Sequence, residues 1–564
     1  MNGQRGMGRI TAIAILLAAV VGLSACQAIP GSGPVQKGRS DLSLSEQQLQ
    51  FDPNSPTPGA SREEIVLDFV KAASSPIDNY AVARQFLAPS YSDEWDPNQV
   101  VFTYDGGRTF NLSPEDGSDG SVVATLLLNG IATVDAAGTM VPQKPGAPVE
   151  MRFELAQVEG EWRITSAPAG VILDRNTFTE LWSPRQVYFL TPDARLVSET
   201  RWFLNRATQI TQIIRELIVG PSSQMSASLH TAFPAGTKLQ SSSVPVTNGV
   251  ARIDLSADAL DIDAATMELM KRQIAASLQS VSGVRSFEIL ADGLKVATGT
   301  IAVDELVPVD PRNAVVVSDG ALSVLQTNGL KRIDGLSDRV VQLQPNAVTM
   351  SQDQRSAAVR NAGGVHWVSE SDVVQLDVRP GQLEPVLDMY GYVWSYATSA
   401  PGAILVTNPG LTQDLLKISW MGGRTPVAVR VSNNGMRIAA LFADGDWSQV
   451  VVGGIVRDPE GRPTAVAEVA TAQLWAAGTP LDLDGIGEQS FALLSRSGAA
   501  GRVTFATQGV FPTDQGTVTD AQKLGGGGSR VSVRVLSADG RLYAPQGSGW
   551  QRQGEHIAIV AKFG

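Results

Sequence analysis

Hydrophobic and polar residues follow three successive patterns along this chain, and each pattern predicts different elements. Residues 61–183 begin with apolar positions at helical spacing and then change to the alternation that is typical of strands. Residues 184–306 combine helical patterns with short strands, and residues 311–564 repeat short apolar strands between turn residues. We therefore predict a multidomain protein of the α+β and all-β classes.

The first domain, residues 61–183, is predicted to open with a capped helix. Ser61 and Glu64 stand at capping-box spacing, so that the hydroxyl and the carboxylate can bond the free amides at a helix start. A second short helix is predicted over Tyr80–Leu87. Glu159-Gly160 is a hairpin signal between the last two of four predicted strands. Those strands are Val100–Tyr104, Val122–Leu128, Val149–Ala156 and Glu161–Thr165.

The run from Met151 to Leu173, through Trp162, resembles the end of NTF2-like domains. The resemblance implies a cone-shaped α+β fold, which such domains use for ligand pockets or for simple association. No cluster of polar residues in this run indicates a ligand, so association is the favoured interpretation and a pocket is the alternative.

The second domain, residues 184–306, is predicted to contain two helices, Thr208–Val219 and Ala264–Ser280, and three strands, Val187–Leu190, Val250–Leu255 and Val284–Leu290. Several short stretches in fixed order resemble the sporulation-and-germination GerMN module, which implies a GerMN-like α+β fold. They are Leu217–Pro221, Phe233–Thr237, Val250–Ser256, and Gly283-Val284 leading to Asp292-Gly293. Their Gly and Pro residues also suit helix caps and turns, so they indicate no cell-wall ligand site.

The last domain, residues 311–564, shows an internal repeat. Ser351–His366 and Ser432–Trp447 are alike at an offset of 81 residues, which is two units of about 40, the size of one propeller blade. Val315–Leu322 also resembles Val533–Leu542 near the other end of the domain. We predict a β-propeller of about five to seven blades, closed into a ring so that no strand edge stays open. A pair of β-sandwiches is the alternative.

The first 25 residues have the parts of a secretory signal. Arg5 and Arg9 precede an uncharged stretch, Ile10–Gly22, and Leu23-Ser24-Ala25-Cys26 follows it. This ending resembles the lipobox of bacterial lipoproteins, which implies cleavage between Ala25 and Cys26 and an S-diacylglyceryl, N-acyl cysteine. Two acyl chains suffice for a stable membrane anchor, whereas one holds only marginally. The proline-broken segment 26–60 is then a lipidated, flexible stalk.

Two other interpretations of this segment stay open. The first is an uncleaved membrane anchor, because no charge follows Arg9 until Lys37. Gly22, Ser24 and Gln27 weaken it, since a span needs about 20 mainly apolar residues. The second is an incidental cysteine behind an ordinary cleaved signal. The lipoprotein interpretation is favoured because the only cysteine of the chain stands at the processing point.

The amino-acid composition and net charge argue against several classes of function. The formal charge of −12, from 44 Lys+Arg and 56 Asp+Glu, argues against a nucleic-acid partner, which requires a basic surface. One cysteine excludes an intramolecular disulfide framework and a thiolate-rich metal site. Three histidines, His230, His366 and His556, leave little material for a metal centre or a general base. No cofactor, metal ligand or catalytic residue is predicted, and the protein is not expected to be an enzyme.

Four local motifs are interpreted as structural. Gly525–Ser529 lacks the lysine of a phosphate loop and is predicted to be a flexible surface turn. Asp482–Gly485 has Pro480 where a calcium loop needs its first carboxylate, so it is predicted to be a turn. Asp116–Gly120 is predicted to be a loop. Six tryptophans of the last domain are predicted to fill propeller strands, with an interface role as the alternative: Trp367, Trp394, Trp420, Trp447, Trp475 and Trp550.

The order of these parts resembles the LpqB lipoproteins along essentially the whole chain. It comprises the lipobox, the following Ala28–Val35, an NTF2-like unit, a GerMN-like module and a propeller. The family implies a lipid-anchored protein on the outer face of the cell membrane. There it is an accessory of the MtrA–MtrB two-component system, binds the extracytoplasmic part of the MtrB sensor kinase, and affects envelope and division homeostasis. The residues indicate no contact motif.

Two alternatives remain. One is a protein that binds cell-wall polymer. The other is an envelope hydrolase, which would need an acidic pair in the propeller mouth.

Overall fold

A computed structural model describes residues 53–116, 121–206, 208–260, 262–301, 313–408, 410 and 412–564. The predicted signal peptide, Ala25 and Cys26 lie outside these residues, together with most of the predicted stalk and of the predicted loop Asp116–Gly120. Residues Pro53–Gly564 form one compact unit, within which three folded regions follow one another.

The first region opens with helix α1, Arg62–Ala72, as the capping box predicts. The Ser61 amide donates to Glu64 Oε2 at 2.8 Å, and the Glu64 amide donates to Ser61 Oγ at 3.3 Å. The predicted helix Tyr80–Leu87 is too long: α2 covers only Ala81–Arg84, and α3 covers Pro89–Ser92. Tyr80 has a φ of 62°, and Leu87 already forms a β-bridge with Ile164. Helical backbone is therefore excluded at both ends of the predicted element.

A six-stranded sheet packs against α1. Its strands are β1 (Val100–Asp116), β2 (Val122–Asp135), β3 (Met140–Pro142), β4 (Val149–Val158), β5 (Glu161–Ser166) and β6 (Val171–Asp174). The order is β5-β4-β2-β1-β6, with β3 on β2. The β4–β5 hairpin turns at Glu159-Gly160 as predicted, with φ of 53° and 83°. Phe69, Trp95 and Phe153 meet edge to face in the core.

A long hairpin connects the first region to the second. Helix α4 (Arg175–Leu181) begins at Asp174, whose Oδ1 accepts from the amides of Asn176 and Thr177. It leads into β7 (Trp182–Leu190) and β8 (Leu196–Leu204), which pair with each other along their whole length. Every residue of β8 except Leu196 is buried, so this strand is covered on both faces.

The second region contains both predicted helices, α5 (Gln209–Val219) and α6 (Ala264–Leu278). They cover one face of a sheet made of β9 (Val246–Thr247), β10 (Val250–Leu255), β11 (Ser286–Ala291) and β12 (Leu294–Thr300), in the order β12-β11-β10-β9. β10 and β11 are parallel, and β12 runs antiparallel to β11. The apolar faces of the helices supply the core, with Met270, Ile274 and Leu278 fully buried.

The third region consists entirely of short strands apart from helix α7 (Ser337–Gln342) and two 3₁₀ turns, Ser419–Met421 and Arg530–Ser532, within the described residues. The strands are β13 (Val315–Ser318), β14 (Ala321–Gln326), β15 (Gly329–Arg332), β16 (Ala347–Met350), β17 (Ser356–Asn361), β18 (Gly364–Ser369), β19 (Val373–Asp377), β20 (Val386–Leu387), β21 (Val393–Tyr396), β22 (Ala403–Thr407), β23 (Gln413–Lys417), β24 (Ala428–Val431), β25 (Arg437–Asp444), β26 (Trp447–Arg457), β27 (Pro463–Ala477), β28 (Thr479–Gly485), β29 (Ser490–Ser497), β30 (Ala500–Thr507), β31 (Thr513–Thr519), β32 (Ala521–Gly525), β33 (Arg534–Ser537), β34 (Leu542–Gln546), β35 (Gly549–Gly554), β36 (Ile557–Val560) and β37 (Lys562–Phe563).

These strands form six blades, which confirms the predicted β-propeller. Blades two to six are built from consecutive strands, and the two sequence repeats at an offset of 81 residues lie in the second and fourth blades. The first blade takes β13, β14 and β15 from the start of the region and β36 from its end. β37 then pairs in parallel with β16 of the second blade. The ring is therefore closed by the last residues of the chain.

Candidate functional site

Strand β8 lies where the three regions meet, and its even-numbered residues face the propeller. Gln489, in the loop between β28 and β29, accepts from the amide and the hydroxyl of Thr200, both at 3.1 Å. Its own amide group donates to Ser198 Oγ and to Gln186 Oε1, both at 2.7 Å. Trp202 Nε1 donates to the Gly509 carbonyl at 2.6 Å. These contacts join uncharged groups, and Arg437 of β25 adds a charged one by donating to the Ser198 carbonyl at 2.5 Å.

The odd-numbered residues of β8 face helix α5. Arg201 is 2% exposed and forms ion pairs with Glu199, at 3.1 Å, and with Glu216. Burial raises the pKa of Glu216 to about 7, although the Arg201 guanidinium opposes the shift. Glu199 also accepts from the amide of Ser222 at 2.9 Å. Strand β8 therefore joins the second region to the propeller, because one of its faces contacts helix α5 and the other contacts the propeller.

Two propeller loops reach into the cores of the other regions. Met436, between β24 and β25, is fully buried in the core of the second region. Phe511, between β30 and β31, packs against Phe178 and Trp202 of the first region. Lys144 extends the contact outward, since it forms an ion pair with Asp444 at 2.9 Å and lies over the Trp475 ring. The junction, by which we mean these contacts and those of β8, joins all three regions.

A second polar group, the axial cluster, lies on or next to the innermost strands of the propeller. It consists of Glu384 before β20, Arg430 on β24, Asp482 and Asp484 on β28, Lys523 on β32 and Lys562 on β37. Inner strands converge on the axis of a propeller, so charged side chains pointing inward from different blades must meet there. Four of the six, Arg430, Asp482, Asp484 and Lys562, are buried.

Lys562 is the centre of this cluster. Its Nζ donates to Glu384 Oε2 and to Asp482 Oδ1, both at 2.6 Å, and to the Leu483 carbonyl at 3.2 Å. Glu384 also accepts from Arg430 and forms an ion pair with Lys523 at 2.8 Å. Burial alone would raise the pKa of Glu384, but the three cations hold it well below its usual range. The last strand is thus fixed to the third and fifth blades by ion pairs.

Asp484 differs from its neighbours in the cluster. It is 0% exposed, and both of its carboxyl oxygens lack a hydrogen-bond partner within the described part of the chain. Burial raises its pKa to about 7, with Lys562 and Arg430 opposing and Asp482 and Glu384 adding to the shift. A fully buried carboxyl group without a hydrogen bond is costly to ionise.

Two sequence predictions are wrong here. Asp482–Gly485 is not a turn but the second half of strand β28, and Asp482 is held by Lys562 and by the Leu524 amide at 2.9 Å. Gly525–Ser529 is not a flexible surface turn. Its glycines are buried, and side chains at Gly525 and Gly526 would collide with the Ala561 and Ser532 carbonyls. The close approach of the last strand explains why glycine is needed.

A cleft of about 450 Å³ opens in the second region between helix α6 and the edge of the sheet. It is lined by Glu268, Lys271, Arg272 and Ala275 of α6, and by Val250, Ser286, Phe287, Glu288, Thr298, Gly299 and Thr300 of the sheet. Lys271 pairs with Glu268 at 2.7 Å, and Lys295, beside the cleft, pairs with Glu288 at 2.6 Å. Mixed charges and hydroxyl groups suit a polar ligand or a peptide.

The three histidines of the sequence lie in separate parts of the fold. His230 is exposed and exchanges backbone hydrogen bonds with Leu190, at 2.8 and 2.9 Å. His366 is buried on β18, where burial lowers its pKa. His556 is exposed with a φ of 57°, and its carbonyl accepts from Ser318 Oγ. Within the described ranges no group of three or more His, Cys, Asp or Glu could hold a metal ion.

The six tryptophans are packing residues. Trp394 is 1% exposed, and its Nε1 donates to Asp388 at 2.8 Å. The other five are half-buried. In the described part of the chain no helix is both long and apolar enough to cross a membrane.

Comparison with protein families identifies all three regions. Residues 55–179 match the N-terminal domain of lipoprotein LpqB, residues 186–297 match a domain described as sporulation and spore germination, and residues 320–559 match the lipoprotein LpqB beta-propeller domain. These matches confirm the predicted resemblance to the LpqB lipoproteins, the GerMN-like module and the propeller.

Individual relatives agree. Lipoprotein LpqB of Cutibacterium acnes is 30% identical over 300 residues, which are 53% of this chain and 49% of that protein, so the match spans about half of its length. Lipoprotein LpqB of Streptomyces coelicolor is 25% identical over 622 residues, which cover 99% of this chain and 98% of that protein. Among solved structures, the first GerMN domain of GerM from Bacillus subtilis aligns at 16% identity with a TM-score of 0.19, covering 21% of this chain and 94% of that one.

Proposed function

Because the chain belongs to the LpqB lipoprotein family, we propose that it acts outside the cytoplasm as a membrane-anchored, non-catalytic partner of a sensor kinase of the MtrB type. The lipobox resemblance at Cys26 supports the anchor, with cleavage after Ala25 and two or more acyl chains on the cysteine. The mature chain then carries a formal charge of −14, because only Arg5 and Arg9 are lost. An acidic body is repelled by anionic lipid and stays above the surface.

The junction supports a binding function rather than a catalytic one. Gln489, Met436 and Phe511 tie the propeller to both other regions, so the body can present several surfaces in a fixed relation. A partner that binds one state of a kinase better than another shifts the balance between them. The anchor confines both proteins to one membrane and raises their effective concentration. The protein would thus modulate signalling in the cell envelope without catalysing a reaction.

The test is reconstitution of an MtrB-type kinase in vesicles with the full lipidated chain, and with residues 27–564, which carry neither the signal segment nor the lipid, as the unanchored control. We expect the lipidated chain to bind and to change autophosphorylation, and the control to need about 100-fold more protein for the same effect. Absence of binding together with unchanged phosphorylation would refute the proposal. Equal potency of the two chains would refute the role of the anchor.

A further inference from the structure

The sheet of the second region has two very different edges. At one edge stands β9, which has only two residues. At the other stands β12, which has seven residues and pairs with β11 alone in the described part of the chain. Proteins usually protect such an edge with short strands, proline or several charges. β12 contains no proline and a single charged residue, Lys295, so its backbone groups remain available for pairing.

The free backbone groups of β12 can be identified. The Ile301 amide donates to the Arg285 carbonyl at 2.9 Å, and Gly299 stands opposite Phe287 in the register. Residues two apart point their backbone groups to the same side, so Ile301 and Gly299 face β11. Thr298 and Thr300 therefore direct their amides and carbonyls away from the sheet.

This edge exposes apolar side chains, and an exposed arginine lies in the adjoining cleft. Leu294 is 71% exposed and Val296 is 37% exposed, which leaves two large apolar groups in water on one strand. In the adjoining cleft Lys271 and Glu288 are neutralised by partners. Arg272 is exposed, and its guanidinium donates to the Ala194 carbonyl at 3.5 Å. It has no carboxylate within ion-pair distance among the described residues, so a carboxylate of a partner can pair with it without displacing an existing ion pair.

We propose that the edge of β12 and the adjoining cleft form a docking site for an extended acidic segment of a partner protein. The segment adds to the sheet as a fifth strand and bonds the outward backbone groups of Thr298 and Thr300. Its apolar side chains cover Leu294 and Val296, and a carboxylate pairs with Arg272. Strand addition draws affinity from the main chain and specificity from such side-chain contacts. This inference deepens the proposed interaction function and rests on it.

The test measures binding of a labelled octapeptide, with alternating valine and threonine and two aspartates, to the full chain in detergent by fluorescence anisotropy. Thr298→Pro removes one outward amide without touching the β11–β12 ladder, since proline is tolerated where an edge amide faces solvent. We expect it to weaken binding about tenfold, whereas Thr298→Val leaves binding within about twofold. Arg272→Gln should weaken binding several-fold, and Arg215→Gln on α5 is its matched control.

A second measurement guards against misfolding of the proline variant. In the unmodified chain, hydrogen exchange of the Thr298 and Thr300 amides should slow about tenfold when the peptide is bound, because both amides become strand donors. A peptide with lysine in place of aspartate should bind at least about tenfold more weakly.

Several outcomes would overturn the inference. They are equal binding by the proline and valine variants, equal binding of the lysine peptide, and displacement of the peptide by soluble cell-wall polymer. A concentration-dependent dimer of this chain that Thr298→Pro abolishes would also overturn it, since the edge would then serve self-association. None of these outcomes decides whether the kinase is bound, which the vesicle experiment measures separately.

Discussion

The axial cluster and the junction are both buried and polar, yet they are built from different groups. At the axis, Lys562 and Arg430 share the carboxylates of Glu384 and Asp482, so charge is balanced by charge. Where the propeller meets β8, Gln489 bonds hydroxyl, amide and carbonyl groups, and Arg437 donates to the Ser198 carbonyl at 2.5 Å. The loss of one ionic partner at the axis is therefore expected to destabilise the protein more than the loss of one neutral hydrogen-bond partner between β8 and the propeller.

This difference has a physical basis. Removing one member of a buried ion pair leaves the other charge without compensation, which destabilises by about 3–5 kcal/mol. Removing a neutral hydrogen-bond partner destabilises by about 1–3 kcal/mol. The ring closure thus depends on buried ion pairs, whereas each neutral hydrogen bond between β8 and the propeller contributes less.

The largest effect is expected at the axis, where Lys562→Ala removes the cation that binds both Glu384 and Asp482 at 2.6 Å and leaves Asp482 with only the more distant Arg430, at 3.9 Å. The propeller should lose roughly 3–5 kcal/mol of unfolding free energy. Urea unfolding followed by tryptophan fluorescence measures the change. Lys331→Ala, an exposed lysine on β15, is the control and should shift stability by less than about 0.5 kcal/mol. Similar shifts for both variants would contradict the central role of Lys562.

The next effect is expected where a propeller loop enters the second region. Met436→Ala removes a fully buried side chain from that core and should destabilise it by about 2–5 kcal/mol. Amide exchange in α5 and α6 should accelerate, while exchange in the distant blades stays unchanged. Uniform acceleration through the whole chain would show instead that the regions unfold as one unit.

The pH dependence of stability is expected to distinguish the axial cluster from the junction. Because Asp484 has a folded pKa of about 7 and an unfolded value of 3.8, the native state keeps its proton longer. Its contribution to stability therefore falls as the pH rises from about 4 to about 7 and stays low above that range. Asp484→Asn should flatten this dependence and make the chain more stable above pH 7, by a few kcal/mol at most (~1.4 kcal/mol per pKa unit).

Glu216 is the matched case at the junction. Its pKa is likewise raised to about 7, but it has a charged partner in Arg201. Glu216→Gln should also flatten the pH dependence, yet without a gain of stability above pH 7, because Arg201 loses one carboxylate. Thermal unfolding from pH 5 to pH 8 distinguishes the two variants. A gain for both, or for neither, would refute this contrast.

The smallest effect is expected for Gln489→Ala, which removes four neutral hydrogen bonds at the junction. Unfolding free energy should fall by about 1–2 kcal/mol, and exchange of the Thr200 amide should accelerate. Gln515→Ala, on the outer strand β31, changes the same residue type away from the junction and should have less effect on Thr200. An effect as large as that of Lys562→Ala would remove the distinction between the two groups.

The sequence predictions that the structure and the family matches confirm were those that rested on local patterns. The Ser61 cap, the Glu159-Gly160 turn and the repeat of the propeller depend on neighbours in the chain or on spacing. The prediction of a turn at Asp482–Gly485 was wrong because Lys562, which donates to Asp482, lies 80 residues away in the chain. The alternation of acidic and apolar residues in this run fits a turn as well as a strand. Closure of the propeller places Lys562 beside the run, and the local sequence gives no sign of that contact.

Strand β8 shows the same limit. The pattern predicted Val187–Leu190 as a strand of this hairpin, and it predicted no strand over Leu196–Leu204. Thr200 is buried by Gln489, which is 289 residues away in the chain. Arg430 and Lys562 were also missed, although single charges inside otherwise apolar strands are a usable signal for buried ion pairs.

Closure of the first blade by β36 has a consequence for how the molecule is made. Ser318 and His556, which bond each other there, are separated by 238 residues. Contacts between such distant residues form slowly, and the open ring exposes unpaired strand edges until they form. Because a chain is synthesised from its N-terminus, the two leading regions can fold while the propeller still lacks its final strand. Until β36 pairs with β13, the edges of the open ring can pair with strands of other molecules.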